Sequence, residues 1–244
     1  MGVGYATSAL HRVIYVEPVP GSKPRPQPPF ILDLLAGPNG KVTWDGGPTD
    51  FVSPAVEDIL AWRDRISTKY LSQLGEILSW NERSDFEQSE DARTDADVLL
   101  RYVAAVLDRQ GPEKAARALL DSQPPPFKQY DAEFADADRR GFTGRFPQLL
   151  LGGDYWLPFQ RNLIIEEPDW RNDVQRFGSS FRLADEVAEI RSFIAAADRR
   201  ATAWSADRYD DPPDVFSLAW QASDMVSRLC AIARSRNLPF WTTG

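Results

Sequence analysis

Four carboxylates crowd into a short stretch of this chain: Glu166, Glu167, Asp169 and Asp173. They follow an apolar, aromatic run from Tyr155 to Ile165 and stand among Arg161, Trp170, Arg171 and Arg176. Acids placed just after an apolar strand and walled by rings suit glycoside hydrolysis, which needs one carboxyl as acid and a second as base or nucleophile. The same oxygens could ligate a hard cation such as magnesium or calcium. Glu166 and Glu167 are neighbours, however, and neighbours on a strand point to opposite faces. A solvated acidic turn paired with Arg161, Arg171 or Arg176 is therefore favoured over catalysis. A carboxylate-dependent hydrolase, glycosidase-like or metal-assisted, using Glu166, Glu167 or Asp169 stays as the alternative.

The same residues carry a different chemistry, that of recognition. Tryptophan, tyrosine and arginine dominate the energetics of protein interfaces. Tyr155, Trp156, Glu166, Glu167, Asp169, Trp170 and Arg171 are accordingly expected to form a partner-binding surface, with rings as anchors and acids as a rim. Burial competes with that reading for Trp156, Trp170 and Trp241, while Trp62 and Trp220 sit on helices and read as core.

Other reactive side chains are scarce. His11 is the one histidine and Cys230 the one cysteine, so no Ser-His-Asp or Cys-His mechanism is supported, and a structural zinc has almost no basis. Cys230 falls on an apolar helix face and reads as a buried, inert thiol. The string Gly37-Pro38-Asn39-Gly40-Lys41-Val42 has two residues between its glycines and Val42 after the lysine, so it is a turn rather than a phosphate loop. No cofactor and no metal are expected.

The chain has 244 residues and a formal net charge of −8. An acidic surface argues against nucleic acid, whose phosphates demand cations, and would steer a basic partner. No apolar run reaches the length of a membrane span, so no membrane is expected. The N-terminus shows no secretory pattern, and Ala6 breaks the myristoylation motif at Gly2. A cytoplasmic location is the expectation.

The elements that must position these residues are read from punctuation and periodicity. Ser53-Pro54 opens a helix whose apolar residues recur to about Trp80, giving a helix over 54–80. Residues 81–93 are polar and read as an exposed loop. Thr94 with Asp97 forms a capping box for a second helix, and Gly111-Pro112 ends it and starts a third, to about Leu120. Pro124 to Pro126 mark a connector. Residues 146–151 and 155–165 read as β, 180–200 and 213–236 as long helices, and 238–242 as a short closing strand. Residues 10–16 read as a strand, and 30–35 with 41–44 as a hairpin turned at Asn39-Gly40. The fold class is α+β, helix-rich, with a small antiparallel or mixed sheet and three long helices. One domain over 1–244 is expected, with lobes 1–123 and 127–244 as the alternative.

Residues 150–244 carry three loose motifs: Tyr155-Trp156-Leu157-Pro158, then Gly178-Ser179-Ser180 with Leu183 and Glu186, and last Asn237-Leu238-Pro239-Phe240. In this the chain resembles bacterial immunity proteins that are encoded beside polymorphic toxins. The resemblance implies a binding protein, not an enzyme, that neutralises a cognate protein toxin by covering its active site, and the chain's acidic charge adds the expectation that this toxin has a basic surface. A scaffold without a ligand of its own is the third possibility.

Overall fold

Adjacent strand residues face opposite sides of a sheet, so neighbours that are both buried require both faces to be covered. Such pairs include Tyr5 and Ala6, Tyr155 and Trp156, and Phe240 and Trp241. In each pair one side chain joins the larger apolar cluster and the other the smaller. The sheet is the middle layer between two cores.

The computed structural model describes residues 4–13, 15–16, 41–44, 47–52, 54–91, 96–120, 122–125, 127–151, 153, 155–170, 172–203 and 214–243. Its strands are β1 (Gly4–Ser8), β2 (Tyr15–Val16), β3 (Lys41–Trp44), β4 (Gly47–Val52), β5 (Glu87–Asp91), β6 (Tyr155–Leu157), β7 (Ile165–Pro168), β8 (Val174–Ser179) and β9 (Phe240–Thr243). Its helices are α1 (Val56–Leu74), α2 (Ala96–Gln110), α3 (Pro112–Leu119), α4 (Phe127–Arg140), α5 (Pro147–Leu151), α6 (Ser180–Ala197) and α7 (Val215–Arg236). Six strands form a sheet in the order β5-β1-β9-β6-β8-β7, and β2-β4-β3 form a second, small antiparallel sheet. Within the large sheet β6 and β8 run parallel and the other pairs antiparallel. The fold is α+β, as expected. Because β1 and β5 pair into the same sheet as β6–β9, a cut at the proline cluster would divide one sheet.

Helix α1 supplies Ile59, Trp62, Ile66 and Leu74 to the smaller core, against Tyr155, Leu157, Ile165 and Phe177. On the other face α2, α6 and α7 bury Leu99, Val103, Val187, Ile190, Leu218 and Leu229 over Tyr5, Trp156 and Phe240. The three long helices lie where capping and periodicity put them, with shifted ends. α1 stops at Leu74 rather than Trp80, because Gly75 takes a left-handed φ of 72° and its N–H closes on Leu71 O. That turn leaves Ile77 exposed, while Leu78 and Trp80 return to the core. Ser179 caps α6 by accepting the Arg182 N–H, and Asp214 caps α7 through Ser217. α1 begins at Val56 with Ala55 at its N-cap and no side-chain cap, two residues later than the start expected at Ser53-Pro54, and Thr94 lies outside the described residues.

Several expectations are corrected. Residues 81–93 are not simply a loop, since Glu87–Asp91 form an edge strand paired to β1; their polarity reflects an edge position. Residues 127–140, unassigned in sequence, form α4, with Tyr130 and Ala137 buried on one face. Residues 147–151 are helical rather than β, because α5 is started by Pro147 and held by a buried acceptor. Residues 10–16 hold a 3-10 turn at Leu10–Arg12 and only a two-residue strand. Strand β3 hairpins onto β4, and residues 30–35, the expected partner of β3, lie outside the described residues.

Candidate functional site

The expected acidic elbow is in fact strand followed by a tight turn. Glu166 and Glu167 belong to β7, opposite Arg176 and Gln175 of β8, and so diverge. Glu166 points to solvent, its side chain 61% exposed, and Arg176 reaches it at 3.2 Å. Arg176 also donates to Asp138 of α4 at 3.1 Å, and these two acids, Asp138 first, hold its guanidinium above the ordinary arginine range. Of the three arginines expected to pair the acids, Arg176 does so with Glu166, and Arg171 lies outside the described residues.

Glu167 turns the other way, toward α1. It accepts hydrogen bonds from the Lys69 ammonium and from the Tyr70 hydroxyl, the latter at 2.7 Å. Those two donors, Lys69 first, hold its carboxyl below the usual carboxylate range. The same contact raises Lys69 and Tyr70. Asp169 is 1% exposed, and its Oδ1 accepts the Asp173 N–H at 3.2 Å. Asp169 N–H in turn donates to Asp173 O, which closes the turn around Asn172 with its left-handed φ of 69°. Each carboxylate therefore serves a different place: an exposed ion pair, a strand-to-helix tie and a buried turn.

The rings are also placed differently from the expected surface. Trp156 is 3% exposed inside the helical core, tilted against Phe240 at 5.3 Å, with its Nε1–H on Gln148 O. Tyr155 is buried on the opposite face, stacked on Phe177. Trp170 is half-buried and meets Trp62 and Tyr155 edge-on at 5.6 and 5.7 Å. The partner surface is corrected accordingly: Tyr155, Trp156, Asp169 and Glu167 are buried, Trp170 presents part of its ring, and Glu166 is open. Arg171 lies outside the described residues.

Open on the β7–β8 hairpin are Glu166, Asn172, Asp173, Arg176 and, 65% exposed, Val174 at the start of β8. Asp138 adjoins them from α4, its side chain 63% exposed. Sequence reading missed Val174, Arg176 and Asp138 as a group. The alternation of β8 offered a signal, since Val174 and Arg176 share the face opposite Gln175 and Phe177.

The motif residues of the C-terminal half do converge, though in the core. Gly178 is needed because a Cβ there would meet Gln148 Oε1 and Trp156 Cδ1, each at 2.6 Å. Gln148 accepts the Ser179 N–H at 2.6 Å and donates to Asn162 Oδ1 at 2.9 Å. Ser180 donates to Leu157 O at 3.3 Å, and Asn237, left-handed with φ 52°, ends α7. Cys230 is fully buried, and burial pushes its thiol up to about 12. His11 sits in the 3-10 turn, its ring 3.1 Å from the buried Glu82, which also accepts the His11 and Leu10 N–H groups and the Trp80 Nε1–H.

Among the described residues no group of three or more His, Cys, Asp or Glu side chains could hold a metal ion. No helix among them is long and apolar enough to cross a membrane. Comparison with protein-family models, curated proteins and solved structures finds no match.

Proposed function

We propose that this chain is a cytoplasmic immunity protein that neutralises a cognate bacterial toxin by direct binding. The observation that carries the reading is the hairpin surface, where an exposed apolar side chain, Val174, projects beside the Glu166–Arg176–Asp138 ion-pair group. An apolar contact rimmed by charge is the kind of surface that binds protein. The net charge of −8 favours a basic partner and faster encounter with it. The motif resemblance in residues 150–244 points the same way. The hydrolase alternative is disfavoured because Glu166, Glu167 and Asp169 do not converge on one position, as paired catalytic carboxyls must.

Co-expression with the toxin domain encoded beside the gene tests the proposal. Wild-type protein is expected to restore growth and to bind the purified domain. Val174→Asp and Glu166→Lys are each expected to weaken binding about tenfold or more, since central and charged contacts at hot spots carry such effects. Growth arrest that persists with soluble, folded wild-type protein would sink the proposal. Full protection by the double variant would move the surface elsewhere.

A further inference from the structure

Glu186 sits in the buried stripe of α6 with Leu183, Val187 and Ile190, and is 7% exposed. Its carboxyl grips the first turn of α5, one N–H to each oxygen: Gln148 N donates to Oε1 at 3.0 Å and Leu149 N to Oε2 at 2.9 Å. Gln148 extends the grip. Its side chain binds Ser179 N, Asn162 Oδ1 and Leu163 O, and its carbonyl accepts the Trp156 indole N–H at 3.0 Å. One carboxyl thus anchors the turn that joins α6, the start of β8's exit into α6, and the loop leading into β7.

An ionised carboxylate only accepts hydrogen bonds, whereas a neutral carboxyl turns one oxygen into a donor. Protonation here would set an O–H against a backbone N–H that needs an acceptor. We infer that Glu186 is a two-state latch on the α5 turn, holding both N–H groups when ionised and one when neutral. Burial opposes the ionised state most strongly, and the two N–H bonds favour it; the balance pushes the carboxyl up to about 8. Among the described residues the charged groups nearby do not supply a counter-ion. Asp185 and Glu189 of α6 repel it, and Arg182 and Arg145 are paired with those two acids. On α7, Arg228 and Asp224 are engaged with each other, with Glu90 and with Arg191, and Arg234 lies over Phe181. Arg101 of α2 donates to Leu150 O and Arg176 of β8 serves Glu166 and Asp138. The charged residues of α3, Glu113, Lys114 and Arg117, are exposed, and β6 carries none.

The experiment is a nuclear magnetic resonance titration of the full chain between about pH 4 and 10, a range that brackets ordinary and shifted carboxyls. The amide signals of Gln148 and Leu149 and the indole N–H of Trp156 are expected to shift together, with a midpoint near 8. In Glu186→Gln those three signals should be flat over the same range. If that variant does not fold, the side-chain carboxyl carbon of Glu186 in wild-type protein reports the same midpoint directly. A midpoint below about 6, closer to an ordinary glutamate than to the shifted one, overturns the latch. So does an inflection that survives Glu186→Gln.

Discussion

At one edge of the six-stranded sheet β7 ends in Pro168, which has no N–H to offer a further strand. Its carbonyl is taken by α1, with Trp62 Nε1 at 2.8 Å and Arg65 at 3.4 Å, and Lys69 and Tyr70 hold Glu167 one residue earlier. At the other edge β5 reads Glu-Gln-Ser-Glu-Asp and is tied by exposed ion pairs, Glu87 with Arg12 and Glu90 with Arg228. One edge is closed by a helix packed across it and the other is kept apart by charge. Both are recognised ways of stopping edge strands from pairing with other chains. The contrast explains why acids of similar appearance have different weight: Glu167 is part of a buried seam, whereas Glu87 and Glu90 are half-wet.

The largest expected effect comes from breaking the β7 edge at its centre. Trp62 contacts Trp80, Trp170 and Phe177 and holds the Pro168 carbonyl. Trp62→Ala is expected to cost about 3–5 kcal/mol, the range for large aromatics in cores, read from urea unfolding. A loss under about 1 kcal/mol would mean that α1 does not close this edge. Glu167→Gln comes next. It removes the charge that Lys69 and Tyr70 share, at an expected cost of about 1 kcal/mol, typical of a modest net hydrogen-bonding loss. Because the Glu167 carboxyl is held below the ordinary value, its contribution is present at neutral pH and is lost as pH falls through that lowered value. The difference between wild type and Glu167→Gln should therefore shrink in acid, and a gap that persists there would contradict the ion-pair account.

Glu186 supplies the opposite sign. Its carboxyl is raised, so the folded state holds a proton that the unfolded chain has lost between about pH 4.5 and 8. Stability contributed by this group is fully present below about 4.5 and falls by about 1.4 kcal/mol per pH unit at most as pH rises toward 8. Glu186→Gln should flatten that slope in urea midpoints measured across the window. An unchanged slope would show that the carboxyl titrates normally.

The long helices, unlike the shorter α4 and α5, are legible because apolar periodicity is local: the Ser179 cap and the stripes of α6 and α7 carry their own signals. The strands were less so. Glu166 and Glu167 looked like an elbow because β7 is four residues long and half polar, and a short edge strand has no alternation that sequence can separate from a turn. The arginine partner of Glu166 stands ten residues away and was among those expected, while Lys69 and Tyr70 are 98 and 97 residues from Glu167, beyond any local pattern. Tyr155 and Trp156 suit a surface by residue type, since such rings dominate interfaces, but residue type does not say which faces of a strand are covered. Here helices cover both faces, a tertiary fact. Glu186 does carry a local signal, a carboxylate inside the apolar stripe of α6.

The smallest effect is expected at β5, and it is the sharpest test of the contrast. Arg228 joins Glu90 at 2.7 Å and also pairs with Asp224 one helical turn back, with its own side chain 53% exposed. Exposed pairs of this kind contribute between nothing and about 1 kcal/mol, because water screens the charges and two long side chains must be ordered. Arg228→Ala is therefore expected to shift stability by about 0.5 kcal/mol or less, and added salt should erase even that difference. A loss as large as that of Glu167→Gln would mean that β5 is clamped as firmly as β7, and the two edges would then be closed by the same means. What charge does protect is solitude: Glu87→Val with Ser89→Val, both at exposed positions of the strand, should leave the urea midpoint almost unchanged yet produce dimers in sedimentation. If the double variant stays monomeric at high concentration, the acids of β5 are not what keeps that edge unpaired.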